Sequence, residues 1–190
     1  TILQKTIETL TDAGYRFIGM DHFAKPDDEL AIAQQNGVLH RNFQGYTTQE
    51  EADLLGLGVS SISLMGDHYA QNQKELKQYY ADVEDHGNGL HKGFVMSKED
   101  CLRRDVIKAL ICNFKLDYAP LEQQYGINFK QHFAEDLQLL EPLEKDGLLT
   151  IGETALSVSA KGRLLIRNIC LCFDTYSRQI AKRQQFSRII

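Results

Sequence analysis

The chain has 190 residues, with 26 acidic and 21 basic side chains and a formal net charge of −5. Apolar residues make up 43% of the sequence and charged residues 25%, which is ordinary for a globular protein and excludes the disordered and fibrous classes. The sequence has no apolar run near the roughly 18 residues that span a bilayer, no signal peptide and too few cysteines for a disulfide scaffold.

The charge is unevenly placed along the chain. Residues 160–190 carry seven basic side chains against one acidic side chain, a charge of +6, which leaves −11 on the remainder. A basic segment of this kind can meet nucleic acid, an anionic ligand or the acidic remainder of its own protein.

The first half of the chain predicts a mixture of helices and strands. Asp27 or Asp28 can cap a helix that ends before Gly37. We expect helices over residues 2–13, 28–35, 49–55 and 72–83, strands over 15–18 and 56–65, and extended or irregular chain over 38–48.

The second half predicts mainly helices. Ser97 and Asp100 form a pair typical of a capping box at the start of a helix, which should carry Leu102, Val106, Leu110 and Ile111 inward. We expect further helices over residues 121–125, 129–145 and 160–172, and a hairpin of strands 148–151 and 156–159. The order helix, hairpin, helix over residues 129–172 resembles a winged helix. The fold class is therefore α+β, with domains 1–95 and 96–190.

The cysteines do not predict a metal site. Cys101 and Cys112 lie on one predicted helix about 16 Å apart, and Cys170 and Cys172 point to different sides of another. We interpret all four as buried or inert thiols. Asp21, His22 and His40 offer a second set of metal-ligand types, but they have no helical ligand spacing, and a polar strand end that lines a pocket is the alternative interpretation.

The glycine-rich stretch 56–61 is similar to a nucleotide-binding loop only in part. A dinucleotide fingerprint needs a strand before it and a helix after it, whereas the β-like residues 62–65 follow here. The alternative is that these glycines allow close packing of backbone in a strand.

Residues 40–48 combine polar and aromatic side chains without a clear period. Phe43 and Tyr46 can stack on a flat ring, Asn42 and Gln44 offer paired donors and acceptors, and Arg41 can pair with a carboxylate or phosphate. This stretch predicts either a ligand-lining segment or a well-packed structural loop.

Three runs, over residues 19–24, 39–48 and 56–63, closely resemble the oxygen-independent coproporphyrinogen III oxidases. The resemblance continues through residues 66–72, 162–168 and 186–190, and so covers essentially the whole chain in order. The related radical heme-chaperone proteins keep the glycine-rich strand but lack the run Asn-Phe-Gln-Gly-Tyr-Thr, which favours the oxidase.

The resemblance implies a cytoplasmic radical S-adenosylmethionine enzyme of heme biosynthesis. In that family a four-iron four-sulfur cluster cleaves S-adenosylmethionine, and the resulting radical takes a hydrogen from a propionate of coproporphyrinogen III. Loss of carbon dioxide and an electron then leaves a vinyl group, and two such steps give protoporphyrinogen IX.

The family's cluster motif, CxxxCxxC, does not occur in this sequence. We therefore expect a C-terminal fragment that is monomeric, inactive alone and unable to bind the cluster, with the missing N-terminal barrel as its partner. Residues 1–95 would extend the sheet of that barrel.

The resemblance also assigns site residues. Phe43, Gln44 and Ile62 match family positions that bind S-adenosylmethionine. Asp21, His22 and Arg41 are a weaker hypothesis for polar residues near the tetracarboxylate substrate. The alternative functions are a non-catalytic tetrapyrrole-binding module and a winged-helix module that binds nucleic acid. The acidic helix before the hairpin, with Glu135, Asp136, Glu141 and Glu144, argues against nucleic acid.

Overall fold

The computed structural model describes residues 2–49 and 52–182, apart from the side chains of residues 3, 181 and 182. In these ranges the strands form small antiparallel sheets of two or three strands among short helices. The chain divides into two compact units: unit 1 comprises residues 1–48 and 102–190, and unit 2 comprises residues 49–101. The division at residue 95 remains a prediction. None of the described helices is long and apolar enough to cross a bilayer.

Unit 1 begins with elements close to those that the sequence predicts. Asp28 caps the second helix by accepting a 2.9 Å hydrogen bond from the Leu30 amide, as expected for an aspartate at this position. The strands form two small hairpins. The elements are α1 (Ile2–Asp12), β1 (Arg16–Gly19), β2 (His22–Ala24), α2 (Glu29–Gln35), β3 (His40–Arg41) and β4 (Tyr46–Thr47).

Unit 2 is a three-stranded meander with one helix. Its strands and its helix were predicted less accurately from the sequence than the elements of unit 1. The order of its strands is β5-β6-β7, and the second and third strands were not predicted. The predicted helix over residues 72–83 starts later, because residues 68–72 pair in the sheet. The elements are β5 (Ile62–Met65), β6 (His68–Asn72), α3 (Leu76–His86) and β7 (Leu90–Val95).

Two further predictions for unit 2 are wrong. The described residues 52–55 are not helical, since Leu54 pairs with Leu64 of β5 in a β-bridge. Residues 56–65 are not one buried strand, because only the last four are in β5 and Leu57 is 84% exposed. Small apolar residues fit an irregular segment as well as a strand, so composition alone did not separate the two.

Helix α4 (Lys98–Asn113) begins with the predicted capping box. The Ser97 hydroxyl accepts a 3.1 Å hydrogen bond from the Asp100 amide, and the Asp100 carboxylate accepts a 2.8 Å bond from the Ser97 amide. The reciprocal pair satisfies two amides that the helix leaves without partners. Of the four residues predicted to point inward, Leu102, Val106 and Leu110 are buried and Ile111 is half-buried.

The remainder of unit 1 is helical around a small sheet of order β8-β10-β9. The predicted hairpin and helices are found, although the helix expected over residues 129–145 breaks at Phe133 and the one expected over residues 160–172 breaks at Leu164 and Leu165. The strand over residues 115–117 and the helix over residues 175–182 were not predicted. The elements are β8 (Lys115–Asp117), α5 (Tyr118–Tyr125), α6 (Phe129–His132), α7 (Ala134–Lys145), β9 (Leu149–Ile151), β10 (Ala155–Val158), α8 (Ala160–Arg163), α9 (Ile166–Leu171) and α10 (Thr175–Lys182).

The core of unit 1 is built on aromatic rings. Tyr118 stacks on Phe129 with 4.2 Å between ring centroids, and Phe133 meets Phe129 and Phe173 at 4.7 and 5.6 Å. All four side chains are buried, with exposures of 3% or less. Rings of this size contribute much of a core's apolar area, so this cluster fixes the helices that pack around the sheet.

Candidate functional site

The hairpin of β3 and β4 contains the residues that are the strongest candidates for ligand binding in the sequence. Arg41 and Tyr46 face each other as the last strand pair before the turn. The Asn42 amide donates to the Gly45 carbonyl at 2.9 Å, and the Asn42 side chain accepts from the Gln44 amide at 2.8 Å. An asparagine that bonds the backbone two residues ahead stabilises a tight turn, so Asn42 fixes the conformation of the tip.

The tip of this hairpin presents Phe43 and Gln44. Phe43 is 56% exposed, and Gln44 is exposed beside it. In the part of the chain that the structure describes, the Gln44 side-chain amide makes no hydrogen bond. The structure therefore places two of the three residues expected at S-adenosylmethionine on one exposed turn, where an apolar ring and an amide can reach a ligand.

Tyr46 attaches the hairpin of β3 and β4 to helix α4 and to His22. Its hydroxyl donates to the Ile111 carbonyl of α4 at 3.4 Å, and its ring receives the edge of the His22 ring at 5.1 Å. The Arg41 guanidinium lies 5.7 Å from the centre of the Tyr46 ring. Partial burial raises the pKa of Tyr46 well above its ordinary value, although Arg41 acts in the opposite direction. The phenol therefore remains neutral.

Asp21 and His22 lie next to each other in the turn between β1 and β2. The Asp21 carboxylate lies 2.7 Å from His22 Nδ1, with side-chain exposures of 87% for Asp21 and 41% for His22. The two groups are close, but His22 Nδ1 makes no hydrogen bond among the described residues. Tyr46 contacts His22 and Arg41, and Asp21 lies against His22, so the three residues expected near the substrate lie around one half-buried phenol.

Two arginines that the site hypothesis did not include also reach this turn. The Arg163 guanidinium lies 4.7 Å above the Phe114 ring, and Arg167 Nε donates to the sulfur of Met20 at 3.4 Å. The available signals were the charge of the last 31 residues and the run over residues 162–168 that carries part of the resemblance. Neither signal predicted which loop the two arginines would contact.

Ile62, the third residue expected at S-adenosylmethionine, lies in unit 2. It is half-buried on β5, opposite Gln71. The backbone of Gly56 passes so close that a Cβ there would lie 2.7 Å from the Ile62 carbonyl oxygen. The close backbone packing expected for the glycine-rich stretch therefore holds for Gly56, although this residue lies outside the strand and a Cβ at Gly58 would meet nothing within 4 Å.

The thiols of unit 1 do not suit an iron–sulfur cluster. Burial raises the pKa values of Cys112 and Cys170 from 9.0 to about 12, whereas a cluster ligand must be a thiolate. Among residues 2–49 and 52–182, no group of three histidine, cysteine or carboxylate side chains is arranged to hold a metal ion.

The comparisons with known proteins agree with the resemblance seen in the sequence. Residues 96–165 match the family described as HemN C-terminal domain. The chain is 67% identical over its whole length to the oxygen-independent coproporphyrinogen III oxidase of Escherichia coli, and 52% identical to that of Thermostichus vulcanus. It spans 41% and 58% of the lengths of these two relatives.

A solved structure gives the same result. It is the coproporphyrinogen III oxidase (HemN) from Escherichia coli, described as a radical SAM enzyme, and it matches with a TM-score of 0.90 and 67% identity. The match covers 92% of this chain and 40% of that one. The resemblance is thus confirmed: the chain is similar along its whole length to a part of the oxygen-independent coproporphyrinogen III oxidases.

Proposed function

We propose that this chain is the substrate-covering part of an oxygen-independent coproporphyrinogen III oxidase. The observation that carries the proposal is the turn over residues 42–45, which presents Phe43 and Gln44 to solvent beside Arg41 on a chain 67% identical throughout to such an oxidase. The whole enzyme would convert two propionates of coproporphyrinogen III to vinyl groups, giving protoporphyrinogen IX in heme biosynthesis. We expect the 190-residue chain to be inactive alone.

Phe43, Gln44 and Ile62 would contribute to the binding of S-adenosylmethionine. An exposed aromatic ring can stack on adenine, an amide without an internal partner can donate to and accept from polar groups of the ligand, and Ile62 adds apolar surface. Bound S-adenosylmethionine supplies the radical that removes hydrogen from the substrate in the enzymes that this chain resembles. The role of these three residues is to bind and orient it.

Asp21, His22 and Arg41 would lie near the tetracarboxylate substrate. Arg41 is exposed and carries a guanidinium that suits a carboxylate. His22 lies 2.7 Å from the Asp21 carboxylate, and its imidazole would give the site a second polar group that can hydrogen-bond a propionate.

The four-iron four-sulfur cluster would belong to the rest of the oxidase, because the buried thiols of this chain do not fit it. Unit 2 has a surface suited to joining such a barrel. Every residue of the outer strand β7 is exposed, and Met96 is the one apolar residue among the described residues of unit 2 that is fully buried. A unit with so small a core requires another surface to cover it. We propose that the missing barrel covers unit 2.

The winged-helix-like unit over residues 129–172 would serve for packing. Its sheet lies against the buried aromatic cluster, and the only charged side chain of the hairpin, Glu153, is paired with Lys130 of α6 at 2.9 Å. Nucleic-acid binding needs an excess of positive charge on such a hairpin. We therefore propose no nucleic-acid partner. The resemblance to the oxidases is the ground on which we also propose a monomeric enzyme and a cytoplasmic location.

A chimera tests the proposed function directly. This chain replaces the matching 41% of the Escherichia coli enzyme, and the purified, reconstituted chimera is incubated anaerobically with coproporphyrinogen III, S-adenosylmethionine and a reductant. We expect formation of protoporphyrinogen IX. Replacing Phe43 and Gln44 with alanine should raise the concentration of S-adenosylmethionine needed for half-maximal rate, while Phe17→Ala on the hairpin of β1 and β2 should not.

Failure of the chimera to produce protoporphyrinogen IX, with the cluster present and the protein folded, would contradict the proposal. A second outcome concerns the chain alone. Stoichiometric iron and sulfide in the reconstituted 190-residue chain would contradict the assignment of the cluster to the missing part.

A further inference from the structure

Three guanidiniums surround the turn over residues 19–22. Arg41 lies over the ring of Tyr46 and Arg163 over the ring of Phe114, at 5.7 and 4.7 Å. Both of these rings reach Gly19, where an added Cβ would meet them. Arg167 contacts the next residue of the turn, Met20, at 3.4 Å. The three arginines come from β3, α8 and α9, so the fold of unit 1 gathers them from distant parts of the sequence.

Among the residues that the structure describes, these arginines have no carboxylate partner. In the ranges 2–49 and 52–182, the arginines with an acidic partner within 4 Å include Arg103, Arg104 and Arg178, whereas Arg41, Arg163 and Arg167 contact a ring or a sulfur. The nearby carboxylates are engaged: Asp21 lies against His22, and Asp174 accepts from the Ser177 amide at 2.9 Å. The cluster therefore keeps its positive charge available to an anion.

The surface beside the arginines is apolar. Leu164 and Leu165, which join α8 to α9 between Arg163 and Arg167, are 47% and 42% exposed. Arg167 also lines an open groove whose other lining residues, apart from Asp174, are Ile107, Ile111, Cys170 and Leu171. Apolar surface bordered by guanidiniums suits a ligand with an apolar body and anionic arms, rather than a small inorganic anion.

The backbone around the cluster is held in unfavourable conformations. Met20 and Phe114, the two residues that Arg167 and Arg163 contact, have φ values of +58° and +55°, and such a conformation costs a non-glycine residue about 1 kcal/mol or more. Gly162 adds a second constraint, since a Cβ there would overlap the Leu148 carbonyl oxygen. Strained positions tend to occur at functional sites.

We propose that Arg163 and Arg167, together with Arg41, bind the carboxylate arms of an amphiphilic polycarboxylate, with Leu164 and Leu165 against its apolar body. This inference rests on the proposed function, which makes the ligand coproporphyrinogen III, and it adds two residues that the resemblance does not assign. Arginine suits this task because its guanidinium can pair bidentately with a carboxylate and stays charged at all working pH values.

The test is a binding titration of the 190-residue chain with coproporphyrin III, the stable oxidised form of the substrate, followed by porphyrin fluorescence. The double variant R163Q/R167Q should bind about tenfold more weakly, since each exposed ion pair contributes up to about fivefold. R16Q is the matched control, because the one hydrogen bond of the Arg16 side chain among the described residues is to the Gln35 side chain. Coproporphyrin III tetramethyl ester, which keeps the ring without the charges, should bind no better to the unchanged chain than to the double variant.

Equal affinity of the double variant and R16Q for coproporphyrin III, or no binding by the unchanged chain, would overturn the inference. Circular dichroism shows whether each variant is folded, and R163K/R167K, which keeps both charges, should retain most of the affinity.

The chimera separates this inference from the proposed function. An active chimera whose KM for coproporphyrinogen III is the same with and without R163Q/R167Q would overturn the arginine site alone. An inactive chimera, with arginine-dependent porphyrin binding by the chain, would overturn the proposed oxidase function alone.

Discussion

The phenol of Tyr46 occupies the space that a side chain at Gly19 would need. Gly19 has a φ of +150°, and a Cβ added to it would overlap the Tyr46 hydroxyl and lie 3.4 Å from the Phe114 ring. The glycine thus lets strand β1 pass directly over the ring that supports the hairpin of β3 and β4. This contact joins the loop of Asp21 and His22 to the turn of Phe43 and Gln44.

Gly19→Ala should therefore loosen the site as a whole. We expect a loss of about 2–4 kcal/mol in the free energy of unfolding, because the substitution combines a steric overlap with an unfavourable backbone conformation. Urea denaturation of the purified chain measures the loss. Tyr46→Phe, which removes only a weak hydrogen bond at 3.4 Å, should cost no more than about 1 kcal/mol.

The double variant G19A/Y46F decides whether the overlap is the cause. Removing the hydroxyl relieves the closest contact, so Gly19→Ala should cost less in the Tyr46→Phe background than in the unchanged chain. Strict additivity of the two losses would contradict this explanation.

A buried carboxylate ties the last helix to unit 1. Asp136 has a side-chain exposure of 4% and accepts from Arg103 at 3.1 and 3.3 Å, and Arg178 of α10 lies 2.9 Å from it. Asp136→Asn should cost about 3 kcal/mol or more, because two partly buried guanidiniums lose their counter-charge. Thermal unfolding measures this loss.

The control for this prediction is Glu153→Gln. Glu153 also pairs with a cation, Lys130, but its side chain is 95% exposed, so its removal should change the free energy of unfolding by less than about 0.5 kcal/mol. Equal losses for the two substitutions would show that burial does not set the strength of the Asp136 network.

The sequence predicted the elements of unit 1 well because their signals are local. The cap at Asp28 and the turn at Asp146–Gly147 each mark an element end through residues only a few positions apart. Unit 2 was predicted less well. Its strands carry mixed polar and apolar residues that are mostly exposed, so they show neither the alternation of a half-buried strand nor the continuous run of a buried one.

The candidate site shows the same division between local and distant information. The run over residues 40–48 identified Phe43, Gln44 and Arg41 from their types and their resemblance to a family. Arg163 and Arg167 lie more than 100 residues from Arg41, and only packing through Tyr46, Phe114 and Met20 brings them to the same turn. No pattern of spacing encodes such a meeting in one sequence.

Gly56 offers a test of the packing interpretation of the glycine-rich segment. Because a Cβ there would lie 2.7 Å from the Ile62 carbonyl oxygen, Gly56→Ala should destabilise unit 2 by about 1–3 kcal/mol. Gly93→Ala is the matched control on β7, where a Cβ would meet its nearest neighbour at 3.5 Å, an ordinary contact. Hydrogen exchange of the β5 and β6 amides should accelerate in the first variant and not in the second. The reverse order would refute the interpretation.

The buried thiols should make the chain sensitive to alkali. The pKa values of Cys112 and Cys170 rise from 9.0 to about 12 in the folded chain, and that of Tyr118 from 10.0 to about 12, all mainly through burial. A group whose pKa is higher in the folded than in the unfolded state stabilises the fold fully below its unfolded pKa, and this stabilisation is lost as the pH rises toward the folded pKa.

The free energy of unfolding should therefore fall between pH 9 and 12. Urea midpoints measured across this range test the prediction, and C112A/C170A should show a shallower fall. At pH 8 a thiol reagent should label Cys112 and Cys170 only after unfolding, while the less buried Cys101 reacts in the folded chain. Rapid labelling of all four cysteines before unfolding would contradict the assigned burial.

Arg41 gives the most direct test of the substrate hypothesis. In the chimera described above, Arg41→Ala should raise the KM for coproporphyrinogen III by up to about fivefold, because an exposed ion pair with a propionate contributes up to about 1 kcal/mol. Arg41→Lys, which keeps the charge but not the planar fork, should have an intermediate effect. Added salt should raise the KM of the unchanged chimera more than that of Arg41→Ala, since screening weakens an interaction that the variant lacks. If Arg41→Ala leaves the KM for coproporphyrinogen III unchanged, Arg41 is not part of the substrate site. If the KM for S-adenosylmethionine rises as much as that for coproporphyrinogen III, the substitution disturbs the turn of Phe43 and Gln44 instead.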